Sequence, residues 1–109
     1  MIRYKLNWEL FSNQERHYTI QGIKKSITDS HGSILNFEMY SDVSLSINIE
    51  INECDIINLH TELALIGHLS GIDETSINKQ SPREWIIFLN VTFVKGEGKL
   101  RSEVPEVPG

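Results

Sequence analysis

Between Ser26 and Asn78 the chain contains no lysine and no arginine. Nine acids fall in that stretch (Asp29, Glu38, Asp42, Glu50, Glu53, Asp55, Glu62, Asp73 and Glu74), while all ten basic residues lie outside it. The three segments carry +3, −9 and +1, which gives the chain its net charge of −5. A middle of this sign repels phosphate backbones and anionic bilayers, so nucleic acid and membrane surfaces are not expected partners. Arg3 and Lys5 near Tyr40 and Phe88 loosely suggest a base-stacking sheet, but no Lys/Arg-Gly-aromatic run accompanies them.

Cysteine is nearly absent too. A single residue, Cys54, leaves no partner for an internal disulfide, which fits a reducing, cytoplasmic location. No apolar run approaches the roughly 20 residues of a membrane-crossing helix. Met1 to Lys5 alternates apolar and charged residues, unlike the continuous apolar stretch of a signal peptide.

Motifs that carry chemistry are missing as well. His17, His31, His60 and His68 are dispersed, with no His-x-x-x-His or Cys-x-x-Cys spacing. His60 and His68 would stand about 12 Å apart along a helix, too far to share an ion. Gly96-Glu97-Gly98 follows a strand pattern but opens no helix, so it is no phosphate loop. Cys54 is the one candidate nucleophile, and its neighbours Glu53 and Asp55 disfavour a thiolate. The acid pairs Glu53/Asp55 and Asp73/Glu74 lie in polar stretches and read as solvated faces, the first with a helix-capping role. The expectation is a protein without catalytic residues, cofactor or metal, and not an enzyme.

Regular patterning is plentiful. Ile2, Tyr4, Leu6, Trp8 and Leu10 alternate with polar residues, the period of a half-buried strand. Ile20, Ile23 and Ile27 then take helical spacing, with Thr19 as N-cap and Gly32 as a left-handed stop. A competing reading makes residues 17–28 a strand. Leu35, Phe37 and Met39 mark a second strand, joined by a turn at Ser41-Asp42 to a third carrying Val43, Leu45, Ile47, Ile49 and Ile51. Asn52 caps a second helix with Ile56, Leu59, Leu63, Ile66 and Leu69 on one stripe, running to Gly71. The last strand, Glu84 to Val94, is apolar on both faces, so it is either covered on both sides or meets another chain.

The order β-α-β-β-α-β defines an α+β protein and matches the ferredoxin-like split βαβ sandwich, a four-stranded antiparallel sheet with two helices on one face. The alternative is an antiparallel meander with one helix. The outline over about residues 1–95 is similar to small-molecule regulatory modules such as ACT domains, in architecture alone and with no ACT sequence signature. One domain is expected over residues 1–95, followed by an extended tail over 96–109 containing Pro105 and Pro108.

The functional expectation is a small non-catalytic domain that self-associates. Placed at the sheet edge, the last strand would offer Ile86, Phe88 and Val94 to a second copy, giving a homodimer. A small ligand could sit at that interface, with Ser12, Asn13 and Gln14 as candidate lining. The alternative, from the acidic middle, is an adaptor or immunity-type protein that binds a basic protein partner.

Overall fold

The change of period along the chain, from two to 3.6 and back, is reproduced in three dimensions. A computed structural model describes residues 4–94. In chain order the elements are β1 (Tyr4–Ser12), α1 (Arg16–Asp29), β2 (Ser33–Ser41), β3 (Ser44–Asn52), α2 (Ile56–Ala64), β4 (His68–Leu69) and β5 (Glu84–Phe93). Single 3-10 turns stand at Glu53–Asp55 and Glu74–Ser76. The tail expected over residues 96–109 lies outside the described residues.

The class is α+β, but the sheet is not the expected one. It has five strands in the order β2-β3-β5-β1-β4. β1 and β5 run parallel, with Trp8 opposite Leu89, while every other neighbouring pair is antiparallel. A four-stranded antiparallel sheet would put the last strand at an edge; here it is central, between β3 and β1. The reason lies in the sequence of β5. A strand apolar on both faces gains most where neighbours on both sides cover it.

Both helices lie on one face. That face carries Trp8 and Leu10 of β1, Leu45, Ile47, Ile49 and Ile51 of β3, and Ile87, Leu89 and Val91 of β5, all buried. Ile23 and Ile27 of α1 and Ile56, Leu59 and Leu63 of α2 complete one core with them. His60 of α2 meets Trp8 edge-on, with ring centroids 5.1 Å apart. The opposite face is polar and open. In register across it lie Lys5, Ile86 and Glu50, then Asn7, Phe88, Asn48 and Asn36, then Glu9, Asn90, Ser46 and Glu38.

Residues 16–29 form a helix, not a strand, which removes the one-helix meander. Its cap is Glu15, not Thr19: the Glu15 carboxylate accepts the backbone N–H groups of His17 and Tyr18, both at 2.9 Å. Thr19 is buried inside the helix, where its hydroxyl pairs with Ser12 Oγ at 2.8 Å. At the other end His31, not Gly32, adopts the left-handed conformation, with φ of 65°. Gly32 N–H reaches back to the Ile27 carbonyl at 2.8 Å and His31 N–H to that of Thr28, a Schellman ending.

The second helix stops at Ala64, earlier than its apolar stripe suggested. Leu65 is exposed, and Gly67 lets the chain pass the end of β1, where a β-carbon would collide with the Phe11 carbonyl. His68 and Leu69 then pair with Phe11 and Leu10 as the short edge strand β4.

Candidate functional site: an open sheet edge

The polar residues at the end of β1 were the candidate ligand-binding group, and the structure divides them. Ser12 is buried and fully engaged: its hydroxyl pairs with Thr19 and accepts the Gln14 N–H at 3.1 Å. Ser12 and Asn13 both line an open hollow of about 240 Å³, with Phe11, Gly67, His68 and Val94. Gln14 lines a different one of about 270 Å³, between α1 and the end of α2, with Tyr18, Lys25, Glu62 and Leu65. A helix N-terminus beside these hollows would ordinarily attract an anion. Here the Glu15 carboxylate already occupies it, and the two backbone N–H groups it accepts, His17 first, hold that carboxyl below the usual carboxylate range.

The three interface candidates, two on β5 and one just past its end, do not form one patch. Ile86 is only 7% exposed, in register between Lys5 and Glu50, and offers little surface to a partner. Phe88 is half-buried, with the Lys5 ammonium 6.0 Å from its ring centroid. Val94 is 47% exposed but lies past the end of the strand, where its N–H donates to the Ser12 carbonyl at 2.7 Å. The central position of β5 accounts for this: its second apolar face is largely sheltered by neighbouring strands.

The acidic stretch contains one carboxylate with a defined structural task. Glu53, expected on a solvated face, is 5% exposed. It accepts the Asn78 N–H at 2.8 Å, and its own N–H donates to the Arg83 carbonyl at 2.7 Å. The Asn78 N–H holds its carboxyl below the ordinary range against the opposing effect of burial, helped by Ser81 and the charge of Arg83. The indole Nε1 of Trp85 is buried without a hydrogen-bond partner. Next to Glu53, exposed Cys54 donates its N–H to the Ser81 carbonyl at 2.9 Å. This arrangement ties the 78–83 loop to the start of α2. Asp55 lies 3.5 Å from His31 Nδ1, and Asp73 accepts the Thr75 N–H and hydroxyl, so these acids too serve local structure. Among the described residues no three His, Cys, Asp or Glu side chains converge as metal ligands, and no helix is long and apolar enough to cross a membrane.

Among the described residues, what stands open is β2. The two edges of the sheet differ sharply. β4 closes one edge with two residues, whereas β2 forms the other with nine. Along β2, Ile34 is 38% exposed, Leu35 52%, Met39 44% and Tyr40 65%. Helix α1 covers this strand only lightly, and the Lys24 ammonium lies 5.4 Å from the Phe37 ring centroid. An edge of this length is normally blunted by lysine, proline or bulges. β2 has no lysine or proline, one charge at Glu38, and register shifts on either side of its regular stretch from Asn36 to Met39. Sequence reading missed this site. The available signal was a nine-residue strand with a single charge, but only the strand order marks it as an edge.

No protein-family model, no curated protein and no solved structure matches the chain. Function has to be argued from the surface itself.

Proposed function

We propose that the protein is a non-catalytic domain that self-associates, and that it does so through the edge of β2. The observation that carries this reading is the exposure of Ile34, Leu35, Met39 and Tyr40 along a strand edge that no other described strand pairs. β-strand addition satisfies both at once, since the backbone gains a ladder and the apolar side chains gain cover. The exposed fractions amount to about two large side chains per protomer, so covering both copies is worth about 6–12 kcal/mol at the usual 1.5–3 per side chain. Association itself costs about 4–15 kcal/mol. The two are comparable, which makes the assembly weak and concentration-dependent.

A ligand at this interface loses its support. Ser12, Asn13 and Gln14 follow β1, which β3 and β5 separate from β2, about 14 Å across three inter-strand spacings.

Sedimentation velocity over a wide concentration range tests the proposal. Wild type is expected to pass from monomer to dimer, and Met39→Lys, which puts a charge on the edge, to remain monomeric. A wild type that stays monomeric at every concentration contradicts it. A salt-sensitive complex with a basic protein in place of a dimer would instead establish the adaptor or immunity-type reading.

A further inference from the structure

We infer that the hollow between α1 and the end of α2 binds a small zwitterion of the amino-acid type, one ammonium and one carboxylate beside an apolar side chain. The inference stands apart from the sheet edge, since no residue of β2 lines this hollow.

The helical period builds one wall. Tyr18, Gly22, Lys25 and Ser26 follow at i, i+4, i+7 and i+8, which places them on a single face of α1. The middle of that face is small. A β-carbon on Gly22 would come 3.3 Å from Ile66 Cδ1, so a larger residue there would narrow the space. Glu62 of α2, with Leu65 and Ile66 just past its end, forms the other wall. The volume of about 270 Å³ falls just below the roughly 300–1,000 Å³ usual for drug-sized ligands, which suits a smaller molecule.

Two polar groups in the lining are left over by the fold. Ser26 is only 5% exposed, yet its hydroxyl has no hydrogen-bond partner among the described residues. Glu62 is half-buried, and among the described residues its carboxylate accepts no hydrogen bond and joins no ion pair. Sheltered polar groups ordinarily find partners, and a hydroxyl and a carboxylate sharing one hollow can both accept from an ammonium.

Lys25 supplies the opposite sign. Its ammonium donates to Asp29 at 2.7 Å, and Asp29 first, then the charge of Glu62, raises it above its ordinary range. An ammonium has three donors, so two remain for a ligand carboxylate, and the Gln14 amide can donate to the same group. A simple anion would meet Glu62 and a simple cation would meet Lys25. A ligand carrying both charges satisfies each. The exposed Leu65 and the ring of Tyr18 gain cover from its apolar part.

Amide chemical-shift titration with L-leucine tests the site. Saturable shifts are expected over residues 14–26 and 62–66, and not on β2. Isoamylamine is leucine without the carboxylate, and isocaproate is leucine without the ammonium. Each should bind about tenfold more weakly or worse, because each leaves one charge of the lining unmatched. Glu62→Gln should weaken leucine binding by a similar factor. Gly22→Ala removes a glycine from a helix interior, so folding is not impaired, yet it narrows the hollow and should weaken binding too. An absence of saturable shifts in the hollow would overturn the inference, as would equal binding of isoamylamine or isocaproate. Leucine binding unchanged in both variants would place the ligand elsewhere and overturn it as well. Sedimentation reads self-association separately, so neither result stands in for the other.

Discussion

β2 and β3 are the two arms of one hairpin, each nine residues long, and their fates differ. Leu45, Ile47, Ile49 and Ile51 of β3 are all but inaccessible, whereas Ile34, Leu35, Met39 and Tyr40 of β2 each keep more than a third of their surface in water. The arms are comparably apolar, so composition does not explain the contrast. Position does. β3 has a strand on either side and the helices above it, while β2 has β3 on one side and only light cover from α1. The same apolar side chain is core in one arm and unfinished surface in the other. That unfinished surface is what the self-association proposal explains.

The contrast can be broken first in β3. Ile49→Ala should lower stability by about 2–5 kcal/mol, the usual result of emptying a buried aliphatic site, measured by urea unfolding. A loss below about 1 kcal/mol would mean that the core is less tightly packed around β3 than the structure indicates.

Next comes the carboxylate that anchors the loop leading to β5. Glu53→Ala leaves the Asn78 N–H without its acceptor and should cost about 1.5–3 kcal/mol. Its pH dependence has a definite sign. Because folding holds the Glu53 carboxyl below its ordinary value, its stabilisation is complete at neutral pH and is lost as pH falls through the carboxylate range. Denaturation curves between neutral and acid pH should therefore be flatter for Glu53→Gln than for wild type, and identical slopes would remove the role assigned to this group.

Gly67→Ala sharpens the account of the other edge. The added methyl collides with the Phe11 carbonyl, so about 1–3 kcal/mol of destabilisation is expected, with loss of amide protection at Leu69 and Ser70 in β4 and just beyond it. The smallest effect on stability belongs to β2. Leu35→Lys should change monomer unfolding by no more than about 0.5 kcal/mol, as exposed substitutions do, yet it should abolish the dimer. Substantial unfolding by this variant would show that Leu35 belongs to the core.

Much of the fold was legible in the sequence because period reports burial. Leu6, Trp8 and Leu10 of β1, Leu45 to Ile51 of β3, the Ile20-Ile23-Ile27 stripe of α1 and the Ile56-Leu59-Leu63 stripe of α2 face the core as their spacing implied, with Leu6 and Ile20 only half-buried, whereas Tyr4 and Val43 from the same alternations are exposed and Ile2 lies outside the described residues. Strand order was not legible. The pattern of β5 shows that both faces are apolar, which fits a central strand as well as an edge at an interface, and so does not distinguish a sheltered Ile86 and Phe88 from exposed ones. Capping was only partly legible. A glutamate was not the obvious choice at the start of α1, and Thr19 matched the preference for capping residues while serving Ser12 inside the fold. The roles of Glu53 and Gly67 depend on partners 25 and 56 positions away, which no local pattern reveals. The open edge was hidden for the same reason, since an edge is a property of the neighbours a strand lacks.

The most direct test of the central claim is amide hydrogen exchange followed as a function of protein concentration. A second copy on β2 would bury the N–H groups that point away from β3. Protection along Ser33–Ser41 should rise with concentration, while that of β3 and β5 stays constant. Protection of β2 that does not change with concentration, in a protein that nonetheless forms dimers, would place the interface elsewhere and contradict the account.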